Sequence, residues 1–214
     1  MKTGILFDLD GTLLDTLEDL TDATNYTLRH YHKPERKIEE MRKIIGSGAL
    51  FQITTALNGD DKDLDMQEVL KFYRAYYDTH SRVKTRPYAG VLEALSVLKE
   101  KYPIGIVSNK PDVVVKELCA DFFPGIYALG ECMEIRPKKP APDMLCKAMS
   151  DLGIDRCIYV GDTEIDVETA RNTGVPCLCV LWGFRDPDEL EQAGGKTFCR
   201  HPEDLPQIIA EMTK

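Results

Sequence analysis

Four short apolar runs set the pattern of this chain: Gly4-Ile5-Leu6-Phe7, Ile104-Gly105-Ile106-Val107, Cys157-Ile158-Tyr159-Val160 and Cys177-Leu178-Cys179-Val180-Leu181. Each is nearly continuous rather than alternating, so a strand built from it must be covered on both faces. Helical repeats lie between the later runs. Val91, Leu95 and Leu98 share one face, and so do Leu145, Ala148, Met149 and Leu152, with Gly153 as a stop. A further helix is expected from about Asp166 to Asn172, closed by Gly174. Strand and helix in alternation predict an α/β fold with a doubly wound, Rossmann-like parallel sheet.

One stretch breaks the alternation. From Thr16 to Arg86 the periodicity is helical: Leu17, Leu20, Thr24, Leu28 and Tyr31 fall on one face, and Val69, Leu70, Tyr73, Tyr76 and Tyr77 on another. Asn58-Gly59-Asp60-Asp61 reads as a turn between helices. The aromatic stripe is expected to be the core of a small helical module. The chain therefore divides into a sheet domain, residues 1–15 and 87–214, and an inserted all-helical domain, residues 16–86.

Composition narrows the partners. Thirty-six acidic against twenty-seven basic residues give a net charge of −9, which disfavours nucleic acid and anionic membranes as partners. No apolar run approaches a membrane span, and Met1-Lys2-Thr3 leads directly to Asp8 and Asp10, unlike a signal or transit peptide. A cytoplasmic protein, monomeric or homodimeric, is expected. The seven cysteines (Cys119, Cys132, Cys146, Cys157, Cys177, Cys179, Cys199) form no C-x-x-C pair and read as reduced, mostly buried thiols. Cys177 and Cys179 should share one side of a strand.

The chemistry lies where strands end. Phe7 is followed by Asp8-Leu9-Asp10-Gly11-Thr12, and residues two apart on an extended chain point the same way, so Asp8 and Asp10 should project together. In an open α/β sheet the C-terminal strand ends are where ligands bind. Two close carboxylates repel unless a cation binds or one is protonated. Ser108-Asn109-Lys110-Pro111-Asp112 follows the second run, with Pro111 suited to the first turn of a helix whose free N–H groups can bind an anion. Lys138-Lys139-Pro140-Ala141-Pro142 precedes another helix and by itself would be a solvated basic patch. Gly161-Asp162-Thr163-Glu164-Ile165-Asp166 leaves the third run. Asp162 can cap the next helix, or join the first acidic pair in an oxygen cage for a hard cation such as Mg²⁺. Carboxylates, a hydroxyl and a lysine on one sheet edge are what phosphoryl transfer requires.

These segments resemble the four ordered motifs of the haloacid dehalogenase superfamily: Asp8-Leu9-Asp10-Gly11-Thr12-Leu13-Leu14-Asp15-Thr16, then Ser108-Asn109, Lys139-Pro140, and Gly161-Asp162 with Asp166. The insertion is similar to the helical cap of the subgroup containing phosphoglycolate phosphatases and β-phosphoglucomutases. Leu14-Asp15-Thr16 with Asp19-Leu20, and Trp182-Gly183-Phe184 with Glu189-Leu190 and Ala193-Gly194, look most like the phosphoglycolate phosphatase branch. Dehalogenases and phosphonatases of the superfamily lack the second aspartate of the first motif, and Asp10 is present here.

The resemblance implies a Mg²⁺-dependent phosphatase acting on a small phosphorylated metabolite, with 2-phosphoglycolate the leading substrate. Asp8 would be the nucleophile and Asp10 the general acid and base; Ser108, Asn109, Gly11, Thr12 and Lys139 would surround the phosphoryl group. Mg²⁺ would take the carboxylates of Asp8 and Asp162 and the backbone carbonyl of Asp10, with Asp166 orienting Lys139 or a metal-bound water. In the cap, Gly46-Ser47-Gly48 can bring N–H groups to a small anion, and Arg42 or Lys43 beside it can meet a carboxylate; a plain helix–helix turn and solvated charges explain them equally. The rivals are a β-phosphoglucomutase-type phosphomutase, a pyrophosphatase or nucleotidase, a phospho-aspartate signalling domain and a noncatalytic binding module.

Overall fold

The computed structural model describes residues 1–132 and 137–214. The chain divides into two compact units, Met1–Leu14 with Pro87–Lys214, and Asp15–Arg86. Among the described residues, the first unit carries a six-stranded parallel sheet built from β1 (Thr3–Phe7), β4 (Ile104–Pro111), β5 (Tyr127–Glu131), β6 (Arg156–Gly161), β7 (Cys177–Val180) and β8 (Thr197–Cys199), numbered along the chain. Their order across the sheet is β5-β4-β1-β6-β7-β8. β2 (Leu14–Asp15) and β3 (Arg86–Pro87) form a separate two-stranded sheet.

β1 sits at the centre, with Phe7 in register with Ile106 of β4 on one side and Val160 of β6 on the other. Ile5, Leu6 and Phe7 are wholly buried, as a strand covered on both faces must be. The helices of this unit are α5 (Val91–Lys99), α6 (Asp112–Phe122), α7 (Asp143–Leu152), α8 (Glu164–Thr173), α9 (Pro187–Ala193) and α10 (Leu205–Met212). Met144, Leu145 and Ala148 of α7 pack with Leu6, Val107 and Tyr159 of the strands in one core cluster. Gly153 and Gly174 close α7 and α8 in the left-handed conformation, where a side chain would be strained.

The fold is the parallel α/β arrangement that the apolar runs imply, and two strands of the six-stranded sheet lay outside them. β5 and β8 are the sheet edges and only partly buried; β5 carries the apolar stretch Tyr127-Ala128-Leu129 after Ile126, and β8 is three residues long. A second difference concerns β4. It continues beyond Val107 through Ser108-Asn109-Lys110 to Pro111, and α6 starts only at Asp112. Pro111, with φ −52° and ψ 138°, stands before the helix rather than inside its first turn.

The second unit consists of α1 (Leu17–His30), α2 (Ile38–Ile44), α3 (Ala49–Leu57) and α4 (Met66–His80). Its interior contains Leu20, Leu28, Met41, Ile53, Val69, Tyr73 and Tyr77. The aromatic stripe divides. Tyr73 and Tyr77 are buried, whereas Tyr76 is half-buried, stacked on Tyr26 and His80 at ring distances of 4.0 and 3.9 Å. Asn58 ends α3 in the left-handed conformation, within the expected turn. All seven cysteines are free; Cys119, Cys157, Cys179 and Cys199 are buried, and Cys146 is exposed. Among the described residues, no helix is long and apolar enough to cross a membrane.

Candidate active site

Because β1, β4 and β6 are parallel and in register, their C-terminal ends open on one edge of the sheet. Asp8 follows β1 directly, its backbone N–H donating to the Val160 carbonyl at 2.8 Å. Asp162 follows β6, and Asp166 lies in the first turn of α8. Carboxylate oxygens of Asp8, Asp162 and Asp166 all lie within 4.8 Å of one another, and all three residues are buried.

Lys139 meets this cluster from the loop before α7. Its Nζ lies 2.8 Å from Asp8 Oδ1 and donates to Asp166 Oδ1 and to the Tyr159 hydroxyl, each at 2.8 Å. It is 2% exposed, so it is no part of a solvated basic patch. Asn109 fixes the lysine's backbone in both directions. Its Nδ2 donates to the Lys139 carbonyl at 3.0 Å, and its Oδ1 accepts from the Lys139 N–H at 2.8 Å.

Asp166 is the best-satisfied of the three acids. Oδ1 accepts from Lys139 and from Tyr159, and Oδ2 from the N–H groups of Asp162 and Thr163 and from the Thr163 hydroxyl. Thr163, not Asp162, occupies the N-cap of α8. Burial opposes the charge on Asp166, but Lys139 and these donors outweigh it and hold the carboxyl below its ordinary range. Lys139 is likewise held in its charged form: burial opposes it, and the charges of Asp166 and Asp8 prevail.

The other two acids are not compensated to the same degree. Burial pushes Asp8 up to about 7, Lys139 opposes this, and the charges of Asp166 and Asp10 add to it. Its Oδ1 has no aligned hydrogen-bond donor, the contact to Lys139 being an ion pair by distance alone. Asp162 is raised well above its ordinary value by burial and by Asp166 and Asp8, against the Phe184 N–H at 2.8 Å and the Thr12 hydroxyl at 2.9 Å. Three carboxylates thus face one ammonium. A hard divalent cation among oxygen ligands is the chemistry that offsets such an excess.

The walls of the cluster are shaped for this crowding. A Cβ at Gly11, whose φ is +80°, would lie 2.2 Å from Asp162 Oδ2; one at Gly183 would lie 2.3 Å from Asp162 Cβ, and one at Gly161 2.3 Å from Asp166. The donor set and the close cradle both fit a metal held by Asp8 and Asp162.

Asp10 is close enough for its charge to raise Asp8, and its carboxylate also meets a lysine. β1 ends at Phe7, so the two-residue alternation no longer applies beyond it, and Asp10 is directed to Lys110. Lys110 Nζ lies 2.8 Å from both Asp10 carboxylate oxygens, with side chains 6% and 14% exposed. The Asp10 carboxylate is not one of the three clustered acids. Ser108 is buried, its Oγ accepting from the Lys110 N–H at 3.3 Å. Thr12 is wholly buried with its hydroxyl proton given to Asp162, which makes it an orienting group for that carboxylate. Gly46-Ser47-Gly48 belongs to the helical unit, with φ 133° at Gly46 and 85° at Gly48, just before α3.

Sequence reasoning passed over Lys110, Tyr159 and the Trp182–Phe184 segment as site groups. Lys110 stood inside a motif whose neighbours drew the attention, and Tyr159 read only as one more apolar strand residue. Trp182 donates from Nε1 to the Thr12 carbonyl at 3.0 Å, and Phe184 supplies its N–H to Asp162. Backbone donation of that kind leaves no mark in a sequence.

Comparison with known proteins agrees with this geometry. The model of the haloacid dehalogenase-like hydrolase family matches residues 5–180. A phosphoglycolate phosphatase of Colwellia psychrerythraea is 30% identical over 206 residues, covering 90% of each chain. An N-acetylmuramic acid 6-phosphate phosphatase of Pseudomonas aeruginosa is 28% identical over 215 residues, covering 96% of this chain and 94% of that one. A crystal structure from Lactobacillus delbrueckii subsp. bulgaricus superposes with a TM-score of 0.87 at 34% identity, covering 98% of this chain and 99% of that one.

Proposed function

The chain belongs to the haloacid dehalogenase-like hydrolases and is a phosphoric monoester hydrolase, and on that premise we propose that it cleaves small phosphate monoesters through an aspartyl-phosphate on Asp8. The observation that carries the reading is the buried trio Asp8, Asp162 and Asp166 with Lys139 at the C-terminal ends of β1 and β6. Asp8 and Asp162, with the Asp10 backbone carbonyl, are the proposed ligands of Mg²⁺. Bound there, the ion would supply positive charge to the phosphoryl oxygens and keep Asp8 ionised.

In the first step an Asp8 carboxylate oxygen forms a bond to phosphorus while the bond to the leaving oxygen breaks, and Asp10 gives that oxygen its proton. In the second, a water oxygen bonds to phosphorus, the Asp8–phosphorus bond breaks, and the water proton passes to Asp10. Lys139 and the Ser108 hydroxyl hold phosphoryl oxygens as charge shifts among them. Asp166, Tyr159 and Asn109 fix Lys139, while Thr12 and the Phe184 N–H orient Asp162. The helical unit is the proposed cap, with Gly46-Ser47-Gly48 as the loop whose N–H groups are proposed to bind a small anion.

The leading substrate is 2-phosphoglycolate, supported by the phosphoglycolate phosphatases among the relatives. A second reading, a small sugar phosphate, is favoured by the sugar-phosphate phosphatase that aligns with 96% of the chain. A phosphate-release screen with Mg²⁺ over 2-phosphoglycolate, sugar 6-phosphates, β-glucose 1-phosphate, nucleotides and pyrophosphate tests both. Highest kcat/KM on 2-phosphoglycolate is expected. Conversion of β-glucose 1-phosphate to glucose 6-phosphate without free phosphate would replace hydrolysis by mutase chemistry.

A further inference from the structure

We propose that Lys110 determines specificity by binding a negative charge on the leaving side of the substrate, selecting esters whose alcohol carries a carboxylate on the adjoining carbon. The inference rests on the reading of Asp10 as the proton donor and names the residue that selects the acid side of the substrate.

Lys110 stands near the end of β4, and its Nζ lies 2.8 Å from both carboxylate oxygens of Asp10. A general acid must come within hydrogen-bond reach of the oxygen it protonates, roughly 2.6–3.2 Å. The Lys110 ammonium is one further contact away, so it borders whatever substituent the leaving oxygen carries. In glycolate that substituent is a CH₂ bearing a carboxylate, which such an ammonium meets and which an ethyl group lacks.

The neighbouring buried cations have other partners. Lys139 is held by Asp8, Asp166 and Tyr159. Arg185, 5% exposed, is bound through Nε and Nη2 to Glu164 at 2.6 and 3.0 Å. Lys110 differs because its acidic partner is the group that meets the leaving oxygen. An ammonium has three protons on a flexible stem, so it can bridge Asp10 and a substrate carboxylate or pass from one to the other. Its burial makes the charge discriminating, because a substrate carboxylate beside it meets an ammonium that water screens little.

The test is a ratio measured on the Mg²⁺-loaded enzyme: kcat/KM for 2-phosphoglycolate over kcat/KM for ethyl phosphate, which replaces the carboxylate by a methyl group. Wild type should favour 2-phosphoglycolate strongly. Lys110→Met should reduce the ratio by about 100-fold, mainly through KM for the acid substrate, and Lys110→Arg should restore most of it. Lys110→Gln, which keeps a polar group beside Asp10 and removes the charge, serves if Lys110→Met does not fold. Equal losses on both esters would make Lys110 only a support for Asp10 and overturn the proposal, leaving the substrate reading intact. A wild-type enzyme indifferent to the carboxylate would overturn the substrate reading itself, and this inference with it.

Discussion

The two units bury charge in different ways. In the helical unit the buried carboxylate is Asp19, and it is met by backbone donors: the Lys84 N–H at 3.0 Å to each oxygen and the Thr85 N–H at 2.9 Å. Nearby, Gln52 donates to the Thr24 hydroxyl and to the Tyr73 hydroxyl, a neutral network. In the sheet unit three buried carboxylates cluster around one lysine that pairs with Asp8 and Asp166, and Asp8 and Asp162 resist ionisation. Buried polar groups that satisfy one another serve the fold; buried charge left in excess requires something from outside the chain. The contrast sets a structural aspartate apart from those proposed to hold a metal, without reference to any relative.

The largest effect that can break this contrast is on turnover. Asp8→Asn keeps the shape of the side chain and removes the proposed nucleophile, so phosphate release should fall by more than about 10³-fold with the fold intact. Wild-type turnover in that variant would refute the assignment. Lys139→Met comes next. It leaves buried Asp8 and Asp166 without their ammonium, and urea unfolding at neutral pH should show a loss of about 3–5 kcal/mol.

The pH dependence of the metal-free protein sharpens the comparison. Asp8 has a folded pKa near 7 against an ordinary 3.8, so between those values the folded state holds a proton that the unfolded chain has released. Its contribution to stability is therefore greatest below about 4 and declines as the pH rises to about 7. Asp162, also raised, acts in the same direction, whereas Asp166, lowered, contributes above the ordinary carboxyl range and loses that contribution as the pH falls. Urea midpoints measured with and without Mg²⁺ should show the neutral-pH decline shrinking when the ion is present. The smallest effect belongs to the helical unit: Asp19→Asn should cost about 1 kcal/mol, since one oxygen acceptor remains, with no change in Mg²⁺ affinity.

Much of this was legible in the sequence, for a physical reason. Strands covered on both faces require continuous apolar runs, and parallel order sends every strand's C-terminal end to one edge, so Asp8, Ser108 and Asp162 could be placed together before any coordinates. Lys139 could be paired with Asp166 by resemblance. The Asp10–Lys110 pair could not be read from spacing, because β1 ends at Phe7 and strand alternation does not say what a side chain beyond it meets. The same limit hid Tyr159, whose hydroxyl reaches Lys139 from a position that pattern reads only as core. Edge strand β8 carries a weak apolar signal because it is three residues long and incompletely covered.

Calorimetric titration with Mg²⁺ reaches the central claim most directly, comparing wild type, Asp162→Asn and Asp19→Asn at neutral pH. The account predicts saturable binding to wild type and to Asp19→Asn, and loss of binding in Asp162→Asn. Equal affinity in all three, or undiminished phosphate release in the presence of a chelator, would contradict it.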